Sequence, residues 1–284
     1  MPDNFADKVA DLNERLRRLG SVVVAFSGGL DSAVLLSAAV RALGRAHVLA
    51  VTGRSPSLPR AELEAVAALA AECGAAHEFV DTGEFANPEY LANSTTRCYL
   101  CRQELYGRLT QLAAARGFQA VAGGANADDQ HDFRPGLAAA REFGVHAPLA
   151  EAGLSKAELR RLAAEFGLSI RDKPASPCLA SRVPYGEPIT IEKLGCIDAA
   201  ETFLRELGFR ECRVRHHGRL ARIEVPATEI QRLAADGVRV RVLAHLQELG
   251  YQYVTLDLRG FRSGSLNEVL PDTQVGGRRR PAGN

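Results

Sequence analysis

The chain has 284 residues, 46% hydrophobic and 24% charged, with a net charge of +1. That length supports one large or two modest cores, and the balanced charge gives no electrostatic case for a nucleic-acid or anionic-membrane partner. The N-terminus is charged and amphipathic without an apolar signal core, and no stretch has the length and apolarity of a membrane span, so a cytoplasmic protein is expected.

In chain order, Phe5, Val9, Leu12, Leu16 and Leu19 alternate at gaps of four and three, one face of a helix. "SVVVAF" is an apolar, β-branched run suited to a strand buried on both faces. "SGGLDS" follows, then a helix carrying Val34, Leu35 and Leu36. "HVLAVT" and "HEFVD" are further strands, separated by the helix "PRAELEAVAALAAECG" with proline at its start and glycine past its end. A long loop leads to the helix "CYLCRQELYGRLTQLAAARG" and the strand "QAVAGG". Strands alternating with helices predict an α/β fold with a doubly wound parallel sheet. After the helix "SKAELRRLAAEFGL" comes a proline-restrained loop, 171–188, and then a change of pattern. A helix to about Gly208, a hairpin of "ECRVRHH" and "LARIEV", two short helices and "YQYVTLDL" make a smaller α+β unit. The expected units are 1–187 and 188–262, with a Gly/Arg/Pro-rich disordered tail at 263–284.

Three stretches carry chemistry. "SGGLDS" lies between a strand and a helix, where main-chain N–H groups and the helix dipole favour an anion. Gly28 and Gly29 permit close approach, Ser27 and Ser32 offer hydroxyls, and Asp31 either holds Mg2+ or caps the helix. The stretch lacks the spacing and lysine of a Walker A loop. At the carboxyl edge of the fourth strand, Gly123 to Gly136 includes Gly124, Asn126, Asp128, Asp129 and Asp132, suited to Mg2+ or hydroxyls, and Arg134, suited to phosphate. Six cysteines are too few for a disulfide scaffold here and favour metal binding or catalysis. Cys98 and Cys101 form a CxxC at a helix N-terminus, which fits a redox pair, a zinc site with Cys178 as third ligand, or a [4Fe–4S] cluster. Cys178 stands in a loop of turn residues, as though displayed, while Cys73, Cys196 and Cys212 fall within periodic patterns and read as small buried hydrophobes.

"SGGLDS" matches the pyrophosphate loop of PP-loop ATPases, and "RCYLCRQELY", "NADDQHDFRPG", "DKPASPCLASRVPYGEPIT" and "RVRHHGRLARIEV" together resemble the LarE family of sulfur transferases. The resemblance covers nearly the whole chain to "RSGSLNE". It implies ATP and Mg2+ at the phosphate loop, with adenine near Val51 and Thr52 and phosphate or Mg2+ roles for the residues after the fourth strand. It implies adenylation of the carboxylates of pyridinium-3,5-dicarboxylic acid mononucleotide, which a sulfur at Cys178 then converts to thiocarboxylates for the nickel-pincer cofactor of lactate racemase. Lys173, Ser181 and Arg182 surround that cysteine in sequence, and the two cations favour its thiolate and the developing oxyanion. The family has single-cysteine members that sacrifice the Cys178 sulfur and three-cysteine members with a [4Fe–4S] cluster. Cys98 and Cys101 match the latter, which favours the cluster-borne sulfide over sacrifice of the Cys178 sulfur and leaves both routes open.

In the second unit, Arg213, Arg215 and His217 share a strand face, with Arg222 and Glu224 alternating on the partner strand. On residues alone a solvated, ion-paired face is the simpler reading. The resemblance implies that these arginines, with Glu201 and Glu224, meet the substrate phosphate or a metal at contacts of a homo-oligomer. Two other readings are a PP-loop tRNA thiolase, against which the near-neutral charge argues, and a non-catalytic nucleotide-binding or iron–sulfur carrier.

Overall fold

Four consecutive apolar residues, three of them β-branched, form β1 (Val22–Ala25), and all four are buried. They lie at the centre of the computed structural model, which describes residues 4–131, 136–172, 176–262 and 265–266. Helix α1 (Phe5–Leu19) precedes β1, and α2 (Leu30–Leu43) follows it. The chain continues through β2 (Val48–Arg54), α3 (Arg60–Glu72), β3 (Ala76–Asp81), α4 (Pro88–Leu91), α5 (Arg97–Arg116) and β4 (Ala120–Gly123). Then come α6 (Gly136–Glu142), α7 (Pro148–Glu151) and α8 (Lys156–Glu165). The strands pair in parallel in the order β3-β2-β1-β4. Strand order therefore reverses between β1 and β4, which is where open α/β sheets bind ligands, beyond the strands' carboxyl ends.

Both faces of this sheet are covered, as the sequence predicts for a doubly wound fold. Leu12, Leu16, Val34, Leu36 and Leu159 belong to the core on one side. Tyr106 and Leu109 of α5, with Val23 and Val121, form the core on the other.

The second sheet is smaller and mixed. Helix α9 (Ile191–Glu206) leads into β5 (Arg213–His217) and β6 (Leu220–Glu224), an antiparallel hairpin turned at Gly218, whose φ is +58°. After α10 (Ile230–Ala234) and α11 (Asp236–Glu248), β7 (Tyr253–Leu256) pairs in parallel with β6. Leu204, Phe209, Val214, Ile223 and Leu246 form its core. A further cluster, with Tyr90, Leu179, Ala180, Ile189 and Ile197, joins α4, the cysteine loop and α9. Ser265, which the sequence reading assigns to the disordered tail, is instead buried, its hydroxyl bonded with Arg215 and Glu224. The rest of that tail lies outside the described residues. Among the described residues no helix is long and apolar enough to cross a membrane.

Candidate active site

The Ser27–Ser32 turn leaves the carboxyl end of β1 and enters α2 directly. Gly28 has φ +68°, and a Cβ there would stand 3.1 Å from Val66 Cγ2, so both backbone and space select glycine. Ser32 Oγ donates to the Gly29 carbonyl at 3.0 Å, and the Ser27 and Ser32 hydroxyls lie 3.2 Å apart. No side chain caps α2 at Gly29, so its first N–H groups and dipole remain available to an anion.

Gly124 follows β4 and packs on this turn: a Cβ there would lie 2.9 Å from Ser32 N and 3.2 Å from Asp31 C. That contact sets the 124–129 loop beside Asp31. Asn126 Nδ2 donates to Asp31 at 3.2 Å, while Asn126 N–H donates to the buried Asp129 at 3.2 Å. Lys156, the first residue of α8, donates Nζ to Asp31 at 2.5 Å and its N–H to Asp128 at 2.8 Å. The Asn126 Oδ1 is committed to the Asp128 N–H at 2.9 Å, so it is the carboxylates of Asp31 and Asp129 near a helix N-terminus that suit Mg2+ with phosphate. Asp31 is thus tied to Asn126 and Lys156 rather than serving as a side-chain cap. Val51 and Thr52 are buried within β2, and Thr52 Oγ1 is committed to the Phe26 carbonyl at 2.7 Å. Arg134 and Asp132 lie outside the described residues.

Cys98 and Cys178 are exposed and Cys101 is half-buried. Their fields meet on two arginines. Burial works against the Arg97 guanidinium, yet Cys178 and then Cys98 raise its pKa. Arg102 is raised by Tyr106 first and, against burial, by Cys101, Cys98 and Cys178. Burial, with Glu84 and Cys178 adding to it, pushes the Cys101 thiol up to about 12.

The loop bearing Cys178 is pinned from every side. Leu179 N–H donates to the Ser57 carbonyl at 2.8 Å, and the Ser57 hydroxyl meets the buried Tyr90 hydroxyl at 2.7 Å. Asn93, fully buried at φ +56°, donates Nδ2 to the carbonyls of Val183, Pro184 and Glu187 at 3.3, 2.8 and 3.0 Å. Arg97 Nη1 donates to Asn93 Oδ1 at 2.5 Å and to the Ala180 carbonyl at 2.8 Å. Ser181 Oγ donates to the Cys178 carbonyl at 2.7 Å.

Arg182, expected to favour the Cys178 thiolate and the developing oxyanion, has its guanidinium bonded to Glu201 and to main-chain carbonyls. It is 0% exposed, with Nε and Nη2 on Glu201 at 2.8 and 2.9 Å. Nη1 donates to the carbonyls of Pro177 and Cys178 at 2.6 and 3.0 Å. It is a positioning residue, fixing the cysteine's main chain from below. Lys173, the other expected cation, lies outside the described residues.

The expected phosphate face is likewise not an open cradle. Glu201 and Glu224 are both 0% exposed. Glu201 takes Arg182, Arg205 and the Val214 N–H; Glu224 takes Arg215 through Nε and Nη2 at 3.1 and 2.9 Å. Arg215 also donates to the Ser181 carbonyl at 2.9 Å, and Arg213 donates to the Cys212 carbonyl at 2.7 Å with its guanidinium over Phe261. Period-two spacing places these arginines on one face correctly, but their charge is spent on a buried network that ties the cysteine loop to the second sheet.

Among the described residues no three His, Cys, Asp or Glu side chains converge closely enough to hold a single metal ion. A cubane cluster asks for something else, because each thiolate ligates a different iron and the sulfurs stand apart around it. Cys98, Cys101 and Cys178 all act on Arg102, and two of the three are exposed, so thiolate is the donor class this corner would offer a cluster.

A family model for NAD synthase matches residues 6–97, the stretch that holds the Ser27–Ser32 turn. An uncharacterised protein of Synechocystis sp. is 46% identical over 93% of this chain and 98% of its own length. The pyridinium-3,5-bisthiocarboxylic acid mononucleotide synthase of Lactiplantibacillus plantarum is 40% identical over 95% of this chain and 98% of its own. The chain belongs to the LarE family. An uncharacterised protein of Methanocaldococcus jannaschii is more distant, at 26% identity over 91% of this chain and 99% of its length.

Within this LarE-family site, sequence reading misses Asn93, Arg97 and Lys156. Lys156 leaves one local signal: a cation in the first turn of a helix opposes the dipole and asks for a reason. Asn93 leaves another, since a short polar side chain in a turn tolerates positive φ. Arg97 leaves none, because its partner at residue 180 is remote in sequence.

Proposed function

We propose that this protein is an ATP-dependent sulfur transferase that converts the carboxylates of pyridinium-3,5-dicarboxylic acid mononucleotide to thiocarboxylates. The observation that carries the reading is the exposed Cys178 held on a pinned loop beside Cys98 and Cys101. The phosphate turn at the strand-order reversal supports the ATP half, with the base beside β2 at Val51 and Thr52.

In the first half-reaction a substrate carboxylate oxygen attacks the α-phosphorus of ATP, and pyrophosphate leaves. The Ser27–Ser32 turn binds the departing charge through N–H groups and hydroxyls, while Asp31 and Asp129 would hold Mg2+ with Asn126 between them. In the second, a sulfur nucleophile attacks the acyl carbon and AMP departs, leaving the thiocarboxylate. A [4Fe–4S] cluster held by Cys98, Cys101 and Cys178 would supply an exchangeable sulfide. The protein's part is to hold Cys178 accessible and its main chain fixed. The sacrificial route, in which Cys178 yields its own sulfur and becomes dehydroalanine, leaves Cys98 and Cys101 without a task.

Cys178→Ala separates the two halves. It is expected to release pyrophosphate when substrate and ATP are supplied, yet form no thiocarboxylate. Thiocarboxylate formation at the wild-type rate would remove Cys178 from the mechanism.

A further inference from the structure

Two guanidinia flank the CxxC of α5, and neither has an anion to balance it. Arg97 is 2% exposed, and its Nη1 donates to Asn93 Oδ1 and the Ala180 carbonyl, both uncharged. Arg102 is half-buried, its guanidinium 5.8 Å from the centre of the Tyr106 ring. A Cβ on Gly136 would stand 2.8 Å from Arg102 Cγ and 3.6 Å from the Cys98 carbonyl, which sets this side chain beside the first cysteine. Arg97 and Cys101, like Cys98 and Arg102, are spaced i, i+4, so each arginine lies one helical turn from a cysteine. Among the described residues neither arginine pairs with a carboxylate. Arg182 and Arg215 each do, on Glu201 and Glu224.

Burying a cation is costly unless an anion accompanies it. Arg97 also stands in the first turn of α5, where the helix dipole opposes a positive charge and no acidic residue relieves it. Burial apart, the groups acting most strongly on Arg97 are Cys178 and Cys98. On Arg102 they are Tyr106 and then the three thiols. Cys98 and Cys178 are exposed, so a small ion reaches this corner from solvent.

We propose that Arg97 and Arg102 are the counter-charges that draw anionic sulfur, as hydrosulfide, to the corner formed by Cys98, Cys101 and Cys178. The proposal rests on the cluster reading above. A cubane carried by three thiolates is itself an anion, and a second anion approaches it only where cations offset the repulsion. In the transfer, the sulfur's electron pair forms the new bond to the acyl carbon. The carbon–oxygen bond breaks with its pair leaving on AMP, and the sulfur's proton passes to solvent, so no oxidant or reductant is needed.

The test uses the full chain, reconstituted anaerobically with iron and sulfide, desalted, and equilibrated with graded sodium hydrosulfide. Iron per chain, acid-labile sulfide retained, and the hydrosulfide concentration for half-maximal thiocarboxylate formation are read in wild type, Arg102→Gln and Arg102→Lys. Wild type is expected to hold about four irons. Arg102→Gln should need about tenfold more hydrosulfide for both retention and turnover, and Arg102→Lys, which keeps the charge, about threefold at most. The ATP concentration for half-maximal rate should stay unmoved. Added salt should weaken hydrosulfide in wild type and act less on Arg102→Gln, a difference that a merely structural role does not produce. Arg97→Gln also removes the Ala180 brace, so Arg102 carries the test. If Arg102→Gln cannot hold iron, Arg102→Lys and the wild-type salt series decide. Hydrosulfide dependence unchanged in iron-loaded variants, or insensitive to salt in wild type, would overturn the proposal alone. Wild type without iron would overturn the cluster reading and this proposal with it.

Discussion

Lys156 shows what a single side chain adds to a turn that sequence reading already recognises. Glycines and hydroxyls bind phosphate through neutral donors, whereas a leaving pyrophosphate gathers charge that a cation stabilises better. The ammonium at 2.5 Å from Asp31 stands at the N-terminus of α2, where the proposed reaction puts that charge. Lys156→Ala is therefore expected to slow substrate-dependent pyrophosphate release by about a hundredfold. Thermal unfolding should barely change, because the side chain is part-exposed and its pair contributes little to stability. A variant that keeps the wild-type rate would reduce Lys156 to a surface ion pair.

At the scale of elements, two contacts determine whether the site assembles. The first is the approach of the β4 end to the phosphate turn. Every atom within 3.2 Å of a Gly124 Cβ is main chain, so Gly124→Ala must displace either β4 or the start of α2. We expect a loss of about 1–3 kcal/mol in stability and a weaker ATP Kd, both measurable in one denaturation series with and without nucleotide. The second is the Arg182–Glu201 pair. Arg182→Met leaves a fully buried carboxylate short of its main partner, which costs about 3–5 kcal/mol. Adding Glu201→Leu should recover part of that stability without restoring sulfur transfer, since the Cys178 carbonyl still lacks its brace.

These contacts also explain what was legible in the sequence. The phosphate turn, the CxxC and the hairpin are contiguous, so their chemistry and periodicity can be read locally. The partners of Arg182, Glu201 and Arg215 were not legible, because spacing assigns a residue to a face but not to a partner. Glu201 meets Arg182, nineteen residues away, and Asn93 acts on carbonyls some ninety residues on.

For the whole molecule, the buried network couples the two sheets and makes stability depend on acid. Burial alone would raise the Glu201 pKa, but Arg182, Arg213 and the Val214 N–H hold it below its ordinary 4.5. A depressed folded-state pKa means the stabilisation is complete above the unfolded value and is lost as pH falls through the folded one. Stability should thus decline below about pH 4.5, the ordinary value for this group. Glu201→Gln should be less stable at pH 7 and flatter across that acid limb, as followed by denaturant midpoints at each pH. An equally steep limb in the variant would assign the acid dependence to other carboxylates.

The measurement that bears most directly on the central claim is mass spectrometry of both substrate and protein after turnover. Anaerobically purified chain would be incubated with ATP, Mg2+, a sulfide source and pyridinium-3,5-dicarboxylic acid mononucleotide. The account predicts AMP, pyrophosphate and a substrate whose carboxylates have exchanged oxygen for sulfur, with Cys178 intact after several turnovers per chain. ATP consumed with no sulfur in the product would contradict sulfur transfer, and dehydroalanine at position 178 after one turnover would replace the cluster route with a single-use donor.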